Sequence, residues 1–152
     1  VAEPERTLII VKPDAMQRGL AGEILTEFER RGLRISALKL TQVDRSLAER
    51  HYGIHKGKPF FEGLVSFITS SPVIVGVFEG PDAIAAVRQT MGATNPTAAD
   101  PGSIRGRYAL DIGHNLVHGS DSSETAAFEI GLFFQPEEIR SYRRDIDPWI
   151  GA

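Results

Sequence analysis

Thr7-Leu8-Ile9-Ile10-Val11-Lys12-Pro13-Asp14 is the stretch from which the fold is read. Thr7 to Val11 is a β-branched and apolar run without alternation, which predicts a short strand covered on both faces. Lys12-Pro13-Asp14 ends it, because proline brings no N–H to a ladder. A helix fits residues 20–31, where Leu20, Ile24 and Phe28 recur every four residues and form one apolar stripe. Glu27 and Arg31 make a favourable i,i+4 pair on its other side. Gly32 stands where a C-terminal cap belongs. Residues 33–43 read as a second strand of mixed parity: Leu33, Ile35 and Ala37 share one face, Leu38 and Leu40 the other. Either a bulge shifts the register, or both faces are covered, one of them by another subunit.

Further along, residues 46–52 and 60–70 read as two short helices around Gly57-Lys58-Pro59. Residues 73–78 form another buried strand, started by Pro72. Pro81-Asp82 opens a helix with Ile84, Val87 and Met91 on its apolar side, stopped at Gly92. Residues 93–115 are rich in Gly, Pro and Asp and read as a loop, of a length that is usually functional. A short helix is expected at 122–127 with Asp121 as N-cap, and a closing strand at 128–134. The order is strand, helix, strand, helical hairpin, strand, helix, loop, strand. It predicts an α+β, ferredoxin-like (split βαβ) fold, with a four-stranded antiparallel sheet and helices packed on one face of it.

The 152 residues suit one domain over 1–152, long enough to bury a sizeable core. Apolar residues make up 41% and charged residues 24%, as in ordinary soluble proteins. There is no cysteine, which removes disulfides, thiolate nucleophiles and zinc–thiolate sites and fits a reducing, cytoplasmic setting. No apolar run approaches a membrane span, and Val1-Ala2-Glu3-Pro4-Glu5-Arg6 does not read as a secretory signal. A net charge of -3, from 17 basic and 20 acidic residues, argues against dedicated nucleic-acid binding. Phosphate-binding loops of the Gly-x-x-x-x-Gly-Lys-Ser/Thr and Gly-x-Gly-x-x-Gly types are absent, as is the protein-kinase signature set.

Asn115-Leu116-Val117-His118-Gly119-Ser120-Asp121 carries the strongest chemical signal. An imidazole is a nucleophile when one ring nitrogen is free and a carboxylate holds the other. Gly119 permits close approach of another group, Ser120 brings a hydroxyl, and a helix N-terminus just beyond would attract phosphate oxygens. Read alone, the segment fits a loop histidine beside an ordinary cap better than a nucleophile, since short motifs recur by chance. Glu129 is the candidate orienting carboxylate, set by strand alternation opposite Phe128, Ile130 and Leu132, or else a solvated strand residue. Lys12 at a strand end suits a ligand or a simple sheet exit. Arg88 and Arg105 form a bidentate phosphate clamp or two surface arginines. Thr94 donates to phosphate or fills a turn. Phe60 offers a ring for base stacking or joins Phe61 in the core. Tyr52 and His55 flank the hairpin, and His51 reads as structural.

Together these segments resemble the nucleoside diphosphate kinase family. The resemblance runs from Thr7 to about Phe134 through Val11-Lys12-Pro13-Asp14, Gln17-Arg18-Gly19-Leu20, Gly22-Glu23-Ile24 and His51-Tyr52. It continues through Lys58-Pro59-Phe60-Phe61, Thr94-Asn95-Pro96, Pro101-Gly102-Ser103-Ile104-Arg105-Gly106, the His118 segment and Phe128-Glu129-Ile130. It implies ping-pong exchange of the γ-phosphate, mainly from ATP, between nucleoside triphosphates and diphosphates through a phosphohistidine on His118. Glu129 would hold the other ring nitrogen and Ser120 would assist. Tyr52, His55, Arg88, Thr94 and Arg105 would hold phosphates. Lys12 and Asn115 would bind ribose hydroxyls, with Lys12 also reaching the transferred group. Phe60 and Ile112 would sandwich the base without reading its edges, giving little base selectivity. Mg²⁺ would arrive on the nucleotide, with no protein metal cage. The resemblance also implies a homo-oligomer, a hexamer in preference to a tetramer, to which the tail Asp147-Pro148-Trp149-Ile150 is suited. Three positions depart from the family pattern: Ile54 and Arg107, where acidic residues are frequent, and His114, where arginine is frequent.

Overall fold

The computed structural model describes residues 4–152. Val1, Ala2 and Glu3, at which the reading of the N-terminus began, lie outside the described residues. The fully apolar run becomes β1 (Glu5–Val11) and sits inside a four-stranded sheet. Its neighbours are β3 (Val73–Gly80) on one side and β4 (Val117–Gly119) on the other, with β2 (Arg34–Thr41) beyond β3 at the edge. Every pairing is antiparallel, as the ferredoxin-like layout requires.

Alternate β1 residues feed two cores. Ile9 and Val11 pack with α2 (Ala21–Arg30) and α5 (Ala83–Met91) through Ile24, Phe28, Val87 and Met91. Leu8 and Ile10 pack with α4 (Phe61–Ile68), reached through α3 (Arg45–His51), and with Phe133. Helices therefore cover both faces of the sheet, not one. That arrangement explains why β1 shows no alternation, since Leu8 to Val11 have no exposure at all.

The parity break in the second strand is a bulge. The β2–β3 register shifts between Ile35 and Ala37, and the extra residue, Ser36, turns its Oγ onto Glu79 Oε2 at 3.1 Å. Beyond the bulge Leu38 and Leu40 are exposed on this edge strand. Gly32, at φ 106°, ends α2 as expected. Leu33 N donates to Phe28 O and Gly32 N to Glu29 O, the paired bonds of a left-handed helix cap. Glu27 does not pair with Arg31: it binds Arg107 Nη2 at 2.7 Å, while Arg31 donates to Gln89 and Thr90.

The closing strand is not residues 128–134. Those residues belong to α7 (Ser123–Phe133), and the fourth strand is the three-residue β4 around His118. Ala126, Glu129 and Phe133 are buried at helical spacing on α7. Its N-cap is Ser122 and not Asp121, with Ser122 Oγ accepting from Thr125 N at 3.1 Å. The 93–115 segment is not all loop: it holds a 3₁₀ turn at Pro96–Ala98 and α6 (Ile104–Tyr108), whose Ser103 N-cap accepts from Gly106 N. Lys12-Pro13-Asp14 turns directly into α1 (Pro13–Gln17), with proline at the first helical position.

The C-terminal segment is tied down by a buried ion network. Arg34 binds Glu79 Oε1 and lies 3.4 Å from Asp147 Oδ2, Arg6 Nε reaches Glu79 Oε2 at 2.8 Å, and Arg144 Nε holds Asp147 Oδ1 at 2.8 Å. Burial alone would raise the Glu79 carboxyl, but bonds from Arg6, Arg34 and Ser36 with the Arg34 charge outweigh it and hold it below the ordinary carboxylate range. Its stabilisation is therefore full above the unfolded value of about 4.3 and is lost as pH falls through the lowered folded value. Glu79→Gln should cost about 3 kcal/mol at pH 7, by removing the buried charge that faces Arg34 and Arg6 and leaving Arg34 only its longer contact with Asp147. Urea denaturation at neutral and acid pH checks this: the variant's stability should also fall less steeply on the acid side than that of the unsubstituted protein.

Candidate active site

Two hollows compete for attention. One of about 490 Å³ lies between the end of α2 and the start of α5 and brings together Arg31, Asp82 and Gln89 with small and apolar side chains, but no nucleophile. The other, about 380 Å³, collects titratable groups from the residue after β1 and from β4, α3, α5, α6 and α7. It is built from the sheet outward.

β4 pairs with β1 so that His118 stands opposite Ile10. The approach to β4 is strained. Leu116 is buried at φ 76°, a region that bulky residues avoid. Two bonds hold it there: its N–H donates to Asp14 Oδ2 at 3.0 Å, and its carbonyl accepts from Lys12 N at 2.9 Å. After His118, the strand passes so close to α5 that a Cβ on Gly119 would lie 2.7 Å from Met91 Sδ and 2.9 Å from Val87 Cγ1. The expected role of Gly119, close approach, is thus met by a helix of the fold itself.

His118 Nε2 lies 3.0 Å from both carboxylate oxygens of Glu129. An ionised carboxylate only accepts, so Nε2 carries the proton and Nδ1 keeps a free lone pair in the neutral ring. Glu129 comes from the buried side of α7, not from a strand, and its side chain is 5% exposed. Ser120 Oγ donates to Glu129 Oε1 at 2.6 Å and is fully buried. Ser120 therefore meets the nucleophile through Glu129. Burial would raise the Glu129 carboxyl, but the bonds and charge of His118 with the Ser120 bond outweigh it and keep it ionised.

Cations line the other side. Lys12 Nζ donates to Asn115 Oδ1 at 2.7 Å, and Asn115 Nδ2 donates to Thr94 O at 3.0 Å, so strand end and loop are tied together. Burial pushes the Lys12 ammonium down to about 8, opposed by Asp14 and reinforced by Arg105. Arg105 is not a loop residue. It sits on α6, buried, with Nε, Nη1 and Nη2 donating to the carbonyls of Asn115, Gly92 and Val117 at 3.1, 3.0 and 2.6 Å. Burial, then the Arg88 charge, lower it to about 10, so it stays charged at neutral pH. With five N–H groups in a guanidinium, two remain for a ligand. Arg88 Nη1 donates to Gly119 O at 3.3 Å.

Tyr52, His55, Thr94 and Ile112 line the same hollow. Burial, with the Glu129 charge, pushes the Tyr52 phenol up to about 12, so it serves as a neutral donor. Phe60 is not among the lining residues. It is half exposed at the rim, its ring 5.2 Å from His55. Ile54 and Leu64 supply apolar wall beside Ile112. Of the departures from the family pattern, Ile54 thus faces the hollow, Arg107 pairs with Glu27, and His114 holds Asp111 at 2.6 Å against the Phe67 ring.

His51, read from the sequence as structural, stands inside the site beside His118 and Glu129. It ends α3, buried, with its ring 4.9 Å from that of His118 and its Nδ1 3.4 Å from Glu129 Oε2. The available signal was helical spacing: three residues after buried Ala48, His51 faces inward. Among the described residues His51, His118 and Glu129 are the one trio of potential metal ligands, their donor atoms within 4.8 Å of one another. The lone pair that a metal would need on His118 Nε2 is occupied by the proton shared with Glu129.

The model of the family described as "Nucleoside diphosphate kinase" matches residues 5–139. A nucleoside diphosphate kinase of Thermomicrobium roseum is 64% identical over 96% of this chain and 98% of its own length. One of Carboxydothermus hydrogenoformans is 60% identical over the same shares. Among solved structures, a halophilic nucleoside diphosphate kinase from Halobacterium salinarum in complex with CDP superposes with a TM-score of 0.94 at 50% identity, covering 97% of this chain and 99% of that one. A family protein from Babesia bovis superposes at 0.93 with 44% identity, over 96% and 99%. With its signature histidine held by a buried carboxylate and ringed by cations, and with these relatives matching along its length, the chain belongs to the nucleoside diphosphate kinase family.

Proposed function

We propose that this chain exchanges the γ-phosphate between nucleoside triphosphates, mainly ATP, and nucleoside diphosphates by a ping-pong reaction through His118. The observation that carries the reading is the bond between His118 Nε2 and both oxygens of Glu129, which leaves Nδ1 as the free nucleophile. In the first half-reaction the Nδ1 lone pair attacks the γ-phosphorus, the bond from that phosphorus to the bridging oxygen breaks, and the diphosphate leaves. In the second, a different diphosphate takes the group back. The positive charge on the attacking ring is stabilised by Glu129, and the charge on the phosphoryl oxygens by surrounding cations.

Lys12 and Asn115, already bonded to each other, take the ribose hydroxyls, and Lys12 also faces the transferred group. Tyr52, His55, Arg88, Thr94 and Arg105 take the phosphates. Arg105, fixed by three carbonyls, acts as a rigid donor, whereas Arg88 has more freedom to adjust. Ile112 and Phe60 face the two sides of the base without hydrogen bonds to its edges, which gives tolerance of base identity. Mg²⁺ enters as part of the nucleotide substrate. The chain acts as one domain over 1–152, in the cytoplasm, without a nucleic-acid role. No helix among the described residues is long and apolar enough to cross a membrane. It works as a homo-oligomer, a hexamer before a tetramer. Leu38 and Leu40 on the open edge of β2, and Trp149 in the tail, give such an assembly apolar surface to cover.

Incubation with γ-labelled ATP and Mg²⁺ should leave acid-labile, base-stable label on the protein that added GDP removes, and His118→Gln should abolish both events while retaining the fold. Label persisting in that variant would displace His118 as the carrier. A second outcome follows from the Lys12 environment. Nucleotide affinity of the free protein should weaken as pH rises through about 8, where Lys12 loses its charge, and Lys12→Met should lack this dependence when binding is followed by calorimetry.

A further inference from the structure

Glu129 holds three polar neighbours, of which the reaction as described uses two. His118 Nε2 bridges both oxygens, and Ser120 adds a bond to Oε1 alone. The third neighbour is His51 Nδ1, 3.4 Å from Oε2, the oxygen that Ser120 leaves free. This nitrogen is buried and makes no hydrogen bond of good geometry with any group, Glu129 Oε2 included. A buried polar atom without a partner is costly. The one acceptor close to it is the carboxylate that orients the nucleophile.

We infer that His51 is a positioning residue for the exchange reaction, aiming an Nδ1–H at Glu129 Oε2 and bracing the His118 ring edge-on, so that carboxylate and nucleophile keep one mutual orientation. The inference rests on the reading of His118 as the phosphoryl carrier.

The packing supports it. The His51 ring meets that of His118 at 85°, Tyr52 at 4.6 Å and Phe133 at 5.6 Å. It is thereby clamped between β4, its own helix and α7. The tautomer follows from the neighbour, since a carboxylate accepts only and a neutral imidazole facing it presents N–H. His51 stays neutral: burial first, then the charges of His118, His55 and Lys12, lower it to about 4 against the single opposing charge of Glu129. Neutrality matters to the chemistry. A charged His51 would neutralise Glu129 and repel the ring charge that forms on His118 at attack. A neutral donor orders the carboxylate and leaves its full charge to the nucleophile.

The test compares His51→Leu with His51→Asn in the full chain, because asparagine returns an N–H donor near the Nδ1 position. Single-turnover phosphorylation by γ-labelled ATP is followed against pH and nucleotide concentration. In His51→Leu phosphorylation should slow by about tenfold to a hundredfold, with nucleotide affinity changed by less than about twofold, as for other outer-shell partners. The acid limb of its pH profile should move up, since Glu129, lacking one donor, draws a proton onto His118 more strongly. His51→Asn should recover most of the rate and return the limb. Unchanged rate and limb in His51→Leu, or no recovery in a folded His51→Asn, would overturn the inference. Imidazole ¹⁵N spectra of the unsubstituted protein decide it independently of how the variants fold. A proton on His51 Nδ1 is expected, and a bare Nδ1 sinks the idea. If the unsubstituted protein takes up no label, the phosphoryl-carrier reading fails instead, and the spectra still report on the His51 donor.

Discussion

The molecule depends on one buried negative charge. Glu129 lies inside the seam between α7 and the sheet, where an ionised carboxylate is expensive unless it is bonded. Two neighbours repay that expense in a particular geometry: the His118 ring on one strand and a hydroxyl two residues later, with the His51 ring of another helix packed close by. Strand β4, the turn after it and α7 must meet within hydrogen-bond reach for the carboxylate to be tolerated. The requirement that keeps it charged also fixes which nitrogen of His118 is free.

Around that anion the cations serve two tasks, and their burial separates them. Arg105 is woven into the backbone by three carbonyls, so its charge cannot drift when substrate arrives or leaves. Lys12 is bonded only to Asn115 among side chains and sits where burial makes its charge responsive to pH. A preorganised site needs donors that do not have to reorganise during transfer, and a fixed guanidinium provides one. A more responsive ammonium suits a group that follows a moving phosphate.

The strands with strong chemical character were legible in the sequence. Thr7 to Val11 had no polar interruption, and the parity break near Ser36 announced its bulge. Phe128 to Phe134 misled because Glu129 between Phe128 and Ile130 mimics strand alternation over so short a span. The helical answer rests on Ser122 capping and on burial of Ala126 and Phe133 with Glu129, which only the assembled sheet defines. Val117-His118-Gly119 is too short to show any period, so its strand character comes wholly from pairing with β1. The candidate residues named through the resemblance gather around one hollow, with Phe60 at its rim and Ser120 behind Glu129. Their environments were not legible: nothing local says that Arg105 is buried on a helix, that Ser120 binds Glu129 or that His51 lies against His118 and Glu129. These contacts join different elements, and those of His51 reach far along the chain.

Leu116 ties the nucleophile to the integrity of the whole fold. Its left-handed backbone is held by Asp14 and by Lys12 N, partners about a hundred residues earlier in the chain. Closing so long a loop is entropically unfavourable until the intervening elements have condensed. A chain in which Asp14 and Lys12 have not met Leu116 lacks the bonds that set the approach to His118. The position of His118 thus depends on contacts made by the opposite end of the chain, so damage near Asp14 reaches His118 without touching it directly.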